Sequence, residues 1–160
     1  MKISIVYHSE SGNTKKLAEI IGEGARISDS IEIKIMSIES VDEKFVKESK
    51  AVIFGCPTYS GSLSWQIKKW FDTTPVDLEG KIGGVFATEN YLGGGADNAE
   101  LAMIGCILVR GMLAYSAGFT KGEPLTHFGA VILKDGDNFQ KDRARLLGKR
   151  IAEKALELFI

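Results

Sequence analysis

The sequence predicts an α/β fold: a doubly wound parallel β-sheet with helices on both faces. Short apolar runs alternate with amphipathic stretches along the whole chain, which is the order that βαβ units produce. Two of the runs, 51–55 and 83–88, contain no charged residue, as expected of central parallel strands that are buried on both faces. No linker long enough to separate domains is visible, so residues 1–160 are predicted to form one domain.

The strands are predicted from short apolar runs. The run at 31–35 alternates apolar and polar residues, which indicates a strand with one wet face. The runs at 113–116 and 130–133 are separated by a segment rich in Gly, Thr and Pro. We therefore expect a five-stranded sheet whose last strand is interrupted by an insertion. The predicted strands are Lys2–Tyr7, Ile31–Ile35, Ala51–Gly55, Gly83–Thr88, Leu113–Ser116 and Ala130–Leu133.

The helices are predicted from apolar residues at helical spacing. In the first of them, Leu17, Ile20 and Ile21 lie on one face. The third helix is expected to place an aromatic cluster in the core, formed by Trp65, Trp70 and Phe71. The alternative is that the helix is rotated so that Trp65 is exposed. The predicted helices are Thr14–Ala25, Val41–Lys50, Ser64–Thr73, Asp97–Met112 and Asn138–Phe159.

The bulk composition excludes several classes of function. The chain is 44% hydrophobic and 26% charged, and no run reaches the roughly 18 apolar residues that a membrane span requires. A net charge of −1 argues against a nucleic-acid partner, which needs a dense basic surface. Cys56 and Cys106 form no metal-binding or redox pair in sequence, so no metal site is predicted. With no signal-peptide pattern, a cytoplasmic location is expected.

Three polar loops follow the first, third and fourth predicted strands: "HSESGNT", "CPTYSG" and "TENYLGGG". In open α/β sheets, ligands bind outside the carboxyl ends of the strands. The first loop leads into a helix N-terminus, where free N–H groups favour an anion. Hydroxyl groups of Ser9, Ser11 and Thr14 add donors, which predicts a phosphate held without a lysine. The alternative is an ordinary capped helix start; the P-loop and dinucleotide fingerprints are both absent.

The other two loops offer aromatic rings and glycines. Tyr59 suits stacking on a flat ring, and Gly61 allows its peptide group to present either its C=O or its N–H. Alternatively, Tyr59 is a rim aromatic and Gly61 a turn residue. In the third loop Tyr91 is a second candidate ring, and Gly93 suggests backbone placed close to a ligand, unless this is simply a flexible surface loop.

Together these loops resemble the flavodoxin superfamily, whose members hold FMN non-covalently. The stretch Ser9-Glu10-Ser11-Gly12-Asn13-Thr14 resembles the flavodoxin phosphate motif. Within the superfamily, "FGCPTYSGSLSWQIKKWFDTT", "GKIGGVFAT" and "GEPLTHFGAVIL" are most similar to the tryptophan-repressor-binding-protein type of NAD(P)H:quinone oxidoreductase. The resemblance implies a flavodoxin-like three-layer fold. It assigns the phosphate to residues 9–14 and the two sides of the isoalloxazine ring to Pro57, Thr58, Tyr59, Ser60 and Gly61 and to Thr88, Glu89, Asn90, Tyr91 and Gly93.

The sequence also departs from the quinone-reductase pattern. Val109-Arg110-Gly111 stands where that family carries a histidine, a long insertion after the second strand is missing, and so is a tryptophan-bearing loop. The third loop is one residue longer. These differences affect substrate binding and tetramer assembly but leave the FMN socket intact.

Two functions follow from the resemblance. The leading hypothesis is an NAD(P)H-dependent FMN oxidoreductase acting on quinones or similar acceptors, because electron-carrying flavodoxins are usually strongly acidic and this chain is nearly neutral. The alternative is an electron carrier that docks to redox partner proteins, which the missing substrate features favour. By analogy with the family, the chain is a candidate homodimer.

Several side chains have two interpretations. His127 lies either near the flavin or in a surface loop. Glu89 either faces the flavin, where it would disfavour the anionic reduced form, or is an ordinary solvated carboxylate. Cys56 is expected to pack beneath the ring loop rather than to react. The peptide between Ser60 and Gly61 is predicted to face N5 of the flavin and to tune its redox state.

Overall fold

The structure is a computed structural model that describes residues 1–159, and it confirms the predicted parallel sheet with helices on both faces. The strands are β1 (Lys2–Tyr7), β2 (Glu32–Ser37), β3 (Ala51–Tyr59), β4 (Ser62–Leu63), β5 (Ile82–Glu89), β6 (Leu113–Ala114) and β7 (Ala130–Leu133). The helices are α1 (Asn13–Ala25), α2 (Glu43–Glu48), α3 (Trp65–Thr73), α4 (Ala96–Val109) and α5 (Asn138–Phe159). A 3-10 turn at Ile38–Ser40 precedes α2.

The parallel strands are ordered β2-β1-β3-β5, with β6 and β7 on the outer edge of β5. β6 pairs with the first residues of β5 and β7 with the last four. Residues 115–129 leave the sheet between them and are called the insertion below. β1 lies between β2 and β3. The chain therefore runs from β1 to one side of the sheet to form β2, and then crosses to the other side of β1 to form β3. The carboxyl ends of β1 and β3 therefore border the crevice in which this type of sheet binds ligands.

Two apolar layers pack against the sheet, because successive strand residues face opposite sides. On one side Ile3 and Ile53 pack with α1 and α5. On the other, Val52 and Phe54 pack with α3 and α4. Among residues 1–159, no helix combines the length and the hydropathy needed to cross a membrane.

Several local features differ from the sequence expectations; β6 and α4, for example, end at Ala114 and Val109, before the predicted Ser116 and Met112. β3 continues beyond Gly55 to Tyr59, because β4 pairs with its last two residues. α2 is shorter than predicted and starts after Asp42, whose Oδ1 accepts a hydrogen bond from Phe45 N. Trp65 does not join the core: 65% of it is exposed. Trp70 and Phe71 instead pack around Phe54, with ring centroids 5.4 and 4.7 Å from it.

Candidate functional site

The first loop connects β1 to α1 and leaves the start of the helix open. Gly12 is the N-cap residue, with φ of 93°, and has no side chain with which to cap the first turn. A Cβ atom at Gly12 would meet nothing within 4 Å, so there is open space beside the helix terminus. Uncapped N–H groups and the helix dipole make this terminus suitable for an anion.

Other polar groups of the first loop are held by protein contacts. Ser9 Oγ accepts a hydrogen bond from Lys15 N at 3.3 Å. Glu10 Oε1 accepts one from Gln66 Nε2 at 3.0 Å, which ties the loop to α3. Ser11 is exposed, so its hydroxyl is free to turn toward a ligand.

A buried pair of hydroxyl groups joins the first loop to the third. Thr14 Oγ1 lies 2.9 Å from Thr88 Oγ1, and the two residues are 2% and 5% exposed. Each hydroxyl has one hydrogen to donate and two lone pairs. If Thr88 donates to Thr14, the Thr14 hydrogen remains available at the helix start.

The second loop is a two-residue hairpin between β3 and β4. Tyr59 pairs with Ser62 and Thr58 with Leu63. The central residues, Ser60 and Gly61, have φ of 48° and 75°, as in a type I′ turn, whose handedness matches the twist of the strands. Ser60 is a non-glycine residue in the left-handed region, a conformation that is uncommon outside tight turns.

The third loop packs directly against the second. Gly95 approaches Gly61 so closely that a Cβ atom on Gly95 would lie 2.6 Å from Gly61 Cα. Glu89 Oε2 accepts a hydrogen bond from Ala96 N at 3.1 Å, at the first residue of α4. The Glu89 carboxylate thus caps α4, where the helix dipole favours a negative charge. This contact does not test the prediction that Glu89 faces the flavin, which stays a prediction.

A cavity of about 200 Å³ lies where the three loops meet. All the residues that line it are ones that the sequence analysis proposed for cofactor binding: Glu10, Ser11, Asn13, Thr14, Pro57, Thr58, Tyr59, Thr88, Glu89 and Asn90. Enclosed ligand sites usually measure about 300–1,000 Å³. The cavity can therefore enclose the phosphate and polar chain of FMN, but not the whole molecule.

Some of the proposed residues lie outside this cavity. Ser60 is exposed at the hairpin tip and Tyr91 is 68% exposed. Gly93 borders a separate groove beside the third loop. Ser9, Gly12 and Gly61 also do not line the cavity, although they belong to its loops.

His127 and Arg110 do not line the cavity where the three loops meet. His127 is exposed on the insertion, with its ring edge-on to Phe119 at 6.4 Å and to Phe128 at 6.5 Å. Of its two interpretations, the structure thus favours the surface loop. Arg110 follows α4 and donates hydrogen bonds to the carbonyl oxygens of Thr74 and Val76. These two residues lie in the segment that leads into the first residues of β5, at the end of the strand opposite to the third loop.

The chemistry of the cavity suits a polar, aromatic ligand. Thr58 Oγ1 is buried without a hydrogen-bond partner among residues 1–159, so a ligand atom can satisfy it. Burial, and to a smaller extent the nearby Glu10 carboxylate, raises the pKa of Tyr59, which keeps its ring neutral. Burial also raises the pKa of Cys56 to about 11, so this cysteine is a packed thiol and not a nucleophile. An anion-binding helix end, free hydroxyl groups and an aromatic rim fit FMN.

Sequence reasoning missed three contacts that shape the site. Gln66 stood in the motif that carried the family resemblance, but no role was assigned to it. The only sign in the sequence of the close approach between Gly95 and Gly61 was the run of glycines in the third loop. The Thr14–Thr88 pair joins residues far apart in the chain, and no local pattern could have revealed it.

The comparisons with known proteins agree with this geometry. The flavodoxin family model matches residues 5–101. A flavodoxin from Clostridium saccharobutylicum is 44% identical over 160 residues, covering 99% of this chain and 100% of the relative. An NAD(P)H dehydrogenase (quinone) from Archaeoglobus fulgidus is 28% identical over 190 residues, covering 98% of both. The crystal structure of a WrbA-like flavodoxin from Agrobacterium tumefaciens is similar with a TM-score of 0.79, at 26% identity and with 98% of both chains covered. The chain therefore belongs to the flavodoxin family of FMN-binding redox proteins.

Proposed function

We propose that this protein is an electron carrier that binds FMN non-covalently, with residues 1–160 acting as one unit. The main support is that three loops, from β1, β3 and β5, meet around one polar cavity at the open N-terminus of α1. The full-length similarity to a flavodoxin, at 44% identity, favours the carrier over an enzyme.

The first loop binds the phosphate in this proposal. The uncapped N–H groups after Gly12 provide the positive end of the helix dipole. Ser11 and Thr14 add hydroxyl donors, and Thr88 holds the Thr14 hydroxyl in place. Because no lysine or arginine lines the cavity, the phosphate is bound by neutral donors alone.

The second and third loops bind the ring, with Tyr59 and Tyr91 as the aromatic side chains on either side of it. Bound FMN supplies the redox chemistry, and the protein tunes its potential and controls access. The 60–61 peptide is the group proposed to interact with the ring edge, since a Cβ at Gly61 would meet nothing within 4 Å. Gly61→Ala is therefore expected to shift the reduction potential of the holoprotein by restricting this peptide. Gly80→Ala, with a similar φ of 72° in a turn outside the site, is the control and should leave the potential unchanged.

A carrier needs an exposed surface for its partner. Trp65, Tyr91 and Leu92 are 65%, 68% and 90% exposed, and they lie in or next to the second and third loops. Exposed aromatic and aliphatic side chains are typical of protein contact surfaces. The redox partner protein is expected to dock over these residues.

An NAD(P)H-dependent oxidoreductase acting on quinones is the second candidate. A groove of about 490 Å³ adjoins the third loop at Leu92, Gly93 and Gly95, which is large enough for an organic substrate. The net charge of −1 lacks the acidic character that steers many carriers to basic partners.

One experiment separates the two candidates. FMN-loaded protein is mixed with NADH or NADPH and a quinone, and the loss of nicotinamide absorbance is followed. The carrier predicts no turnover, together with rapid reduction of the bound flavin by a flavodoxin reductase. Sustained turnover without a reductase would instead support the enzyme. Protein that stays colourless after incubation with excess FMN and gel filtration would refute both.

A further inference from the structure

A second cavity lies at the outer edge of the sheet, where it shares Asp97, Val131 and Arg143 with the groove beside the third loop. It measures about 290 Å³ and is bordered by α4, β7, α5 and the insertion. None of its lining residues lines the loop cavity. The proposed FMN site therefore leaves this space without a role.

A buried carboxyl group borders this cavity. Glu100, on α4, is 2% exposed, and its Oε1 has no hydrogen-bond partner among residues 1–159. The oxygen sits over Gly129, where a Cβ atom would lie only 2.6 Å from it. Burial, followed by repulsion from Asp97, raises the pKa of Glu100 well above its ordinary value, while Arg143 acts in the opposite direction. An unpartnered buried carboxyl is costly to keep, so a bound group that satisfies it would be favourable.

A buried hydrogen-bond donor borders the same space. Arg143, on α5, has a buried Nε without a partner in the described part of the chain, and its guanidinium lies over the Phe139 ring at 5.2 Å. Arg143 and Glu100 form no ion pair within 4.0 Å of each other among residues 1–159. The Arg143 and Glu100 side chains thus border the same cavity from two helices, and neither of the two unpartnered atoms satisfies the other.

The two groups select the chemistry of a ligand. A carboxamide can accept from Arg143 through its oxygen and donate to Glu100 through its NH₂ group. A carboxylate would accept from Arg143 but would meet the negative charge of Asp97, and an ammonium group would meet the positive charge of Arg143.

The size of the cavity and its remaining lining residues further restrict which ligand can bind. Its volume is at the lower end of the range for ligand sites, which corresponds to a molecule of one ring. Leu125, Phe128 and Val131 form an apolar wall for that ring. We propose that the cavity between α4, β7, α5 and the insertion is a second binding site, specific for a small aromatic carboxamide held by Glu100 and Arg143.

Nuclear magnetic resonance can locate this binding, because the chain has two histidines. His127 lines the proposed site, whereas His8 is buried at the end of β1, below the first loop. Benzamide is titrated into FMN-loaded full-length protein while the imidazole signals are followed, and benzoate serves as the probe of the same shape with a negative charge. We expect benzamide to shift the His127 signals with saturation and to leave those of His8 in place. Benzoate should bind at least about tenfold more weakly.

Variants test which residues hold the amide. Arg143→Met should weaken benzamide binding by about tenfold or more. Arg145→Met is the matched control, because Arg145 is on the same helix but pairs with Glu23 and Asp142 at the surface, and it should leave binding unchanged. Arg143→Lys, which keeps the charge, is used if the methionine variant does not fold, with the same loss expected.

Three results would overturn the proposal: no saturable His127 shift, benzoate binding as tightly as benzamide, or unchanged binding when Arg143 is replaced. FMN binding is measured on the same samples from the visible spectrum. Failure of the carboxamide site is thereby distinguished from failure of the proposed flavin site.

Discussion

Replacing Gly95 with alanine tests whether the third loop supports the second. Gly95 has φ of 101°, and its added Cβ would lie 2.6 Å from Gly61 Cα and 2.9 Å from Gly61 O. Ordinary contact begins at 3.4 Å, so the two backbones must separate by 3.4 − 2.6, or about 0.8 Å. Gly93, in the same loop with φ of 80°, would meet nothing within 4 Å and provides the matched control.

The expected costs differ between the two variants. Both carry the strain of an L-residue in the left-handed region, about 1–2 kcal/mol. Gly95→Ala adds an overpacking cost of about 1–3 kcal/mol. With an m value of about 2 kcal/mol/M in urea, an added cost of about 2 kcal/mol lowers the unfolding midpoint of Gly95→Ala by roughly 1 M relative to Gly93→Ala. The moved hairpin should also weaken FMN binding by about tenfold, which corresponds to about 1.4 kcal/mol.

Urea unfolding of the apoprotein and fluorescence titration with FMN measure the two quantities separately. If the contact between Gly95 and Gly61 positions the hairpin, both the midpoint and the affinity fall further in Gly95→Ala than in Gly93→Ala. Equal values for the two variants would show that the third loop does not support the second, and the reasoning from this contact would be wrong.

Three further outcomes are expected. Thr14→Val and Thr88→Val each leave one buried hydroxyl without its partner, so each should lower the free energy of unfolding in urea by about 1–3 kcal/mol. The double variant should lower it by less than the sum of the two. Simple additivity would show that the pair does not interact. The folded-state pKa of Glu100 is raised above its ordinary value of 4.5, so the native protein loses stability as pH rises from 4.5 toward that raised pKa. Glu100→Gln cannot ionise at this position. The thermal midpoint of the variant should therefore rise relative to that of the wild type between pH 4.5 and pH 8. A difference in midpoint that stays constant over this range would contradict the raised pKa of Glu100. Cys56 is buried and its pKa is about 11, so at pH 8 iodoacetamide should leave it unmodified in the native protein and alkylate it only after denaturation, as measured by mass spectrometry. Labelling of Cys56 in the native protein would show that its thiol is not buried.

The fold was predictable because its signals are local. The central runs at 51–55 and 83–88 have a composition that only strands buried on both faces require, and α5 was predicted with the bounds Asn138–Phe159 that the structure has. Boundaries failed where a distant partner decides them. β3 extends to Tyr59 only because the hairpin returns β4 alongside it, and Trp65 could be placed inside or outside only once the rotation of α3 was known.

The candidate site was predictable as a set of residues but not as an arrangement. The position of each loop after a strand is enough to bring Thr14, Thr58 and Thr88 to one edge of the sheet. The hydrogen bond between Thr14 and Thr88 and the capping of α4 by Glu89 depend on side-chain directions that no spacing rule encodes. Glu89 shows the consequence: its sequence position left open a carboxylate facing the flavin or one in solvent, and gave no sign of the hydrogen bond to Ala96 N that anchors the loop.

The three loops are joined by contacts between protein atoms alone. Thr14 and Thr88 join the first to the third, Gly95 rests on Gly61 and joins the third to the second, and Gln66 links Glu10 to the helix that follows the second. A site held in this way loses little conformational freedom when a ligand enters, so more of the contact energy remains as affinity. The same links mean that a change in one loop is transmitted to the others. A substitution at Gly95, which lies outside the cavity, is therefore expected to alter what the cavity binds.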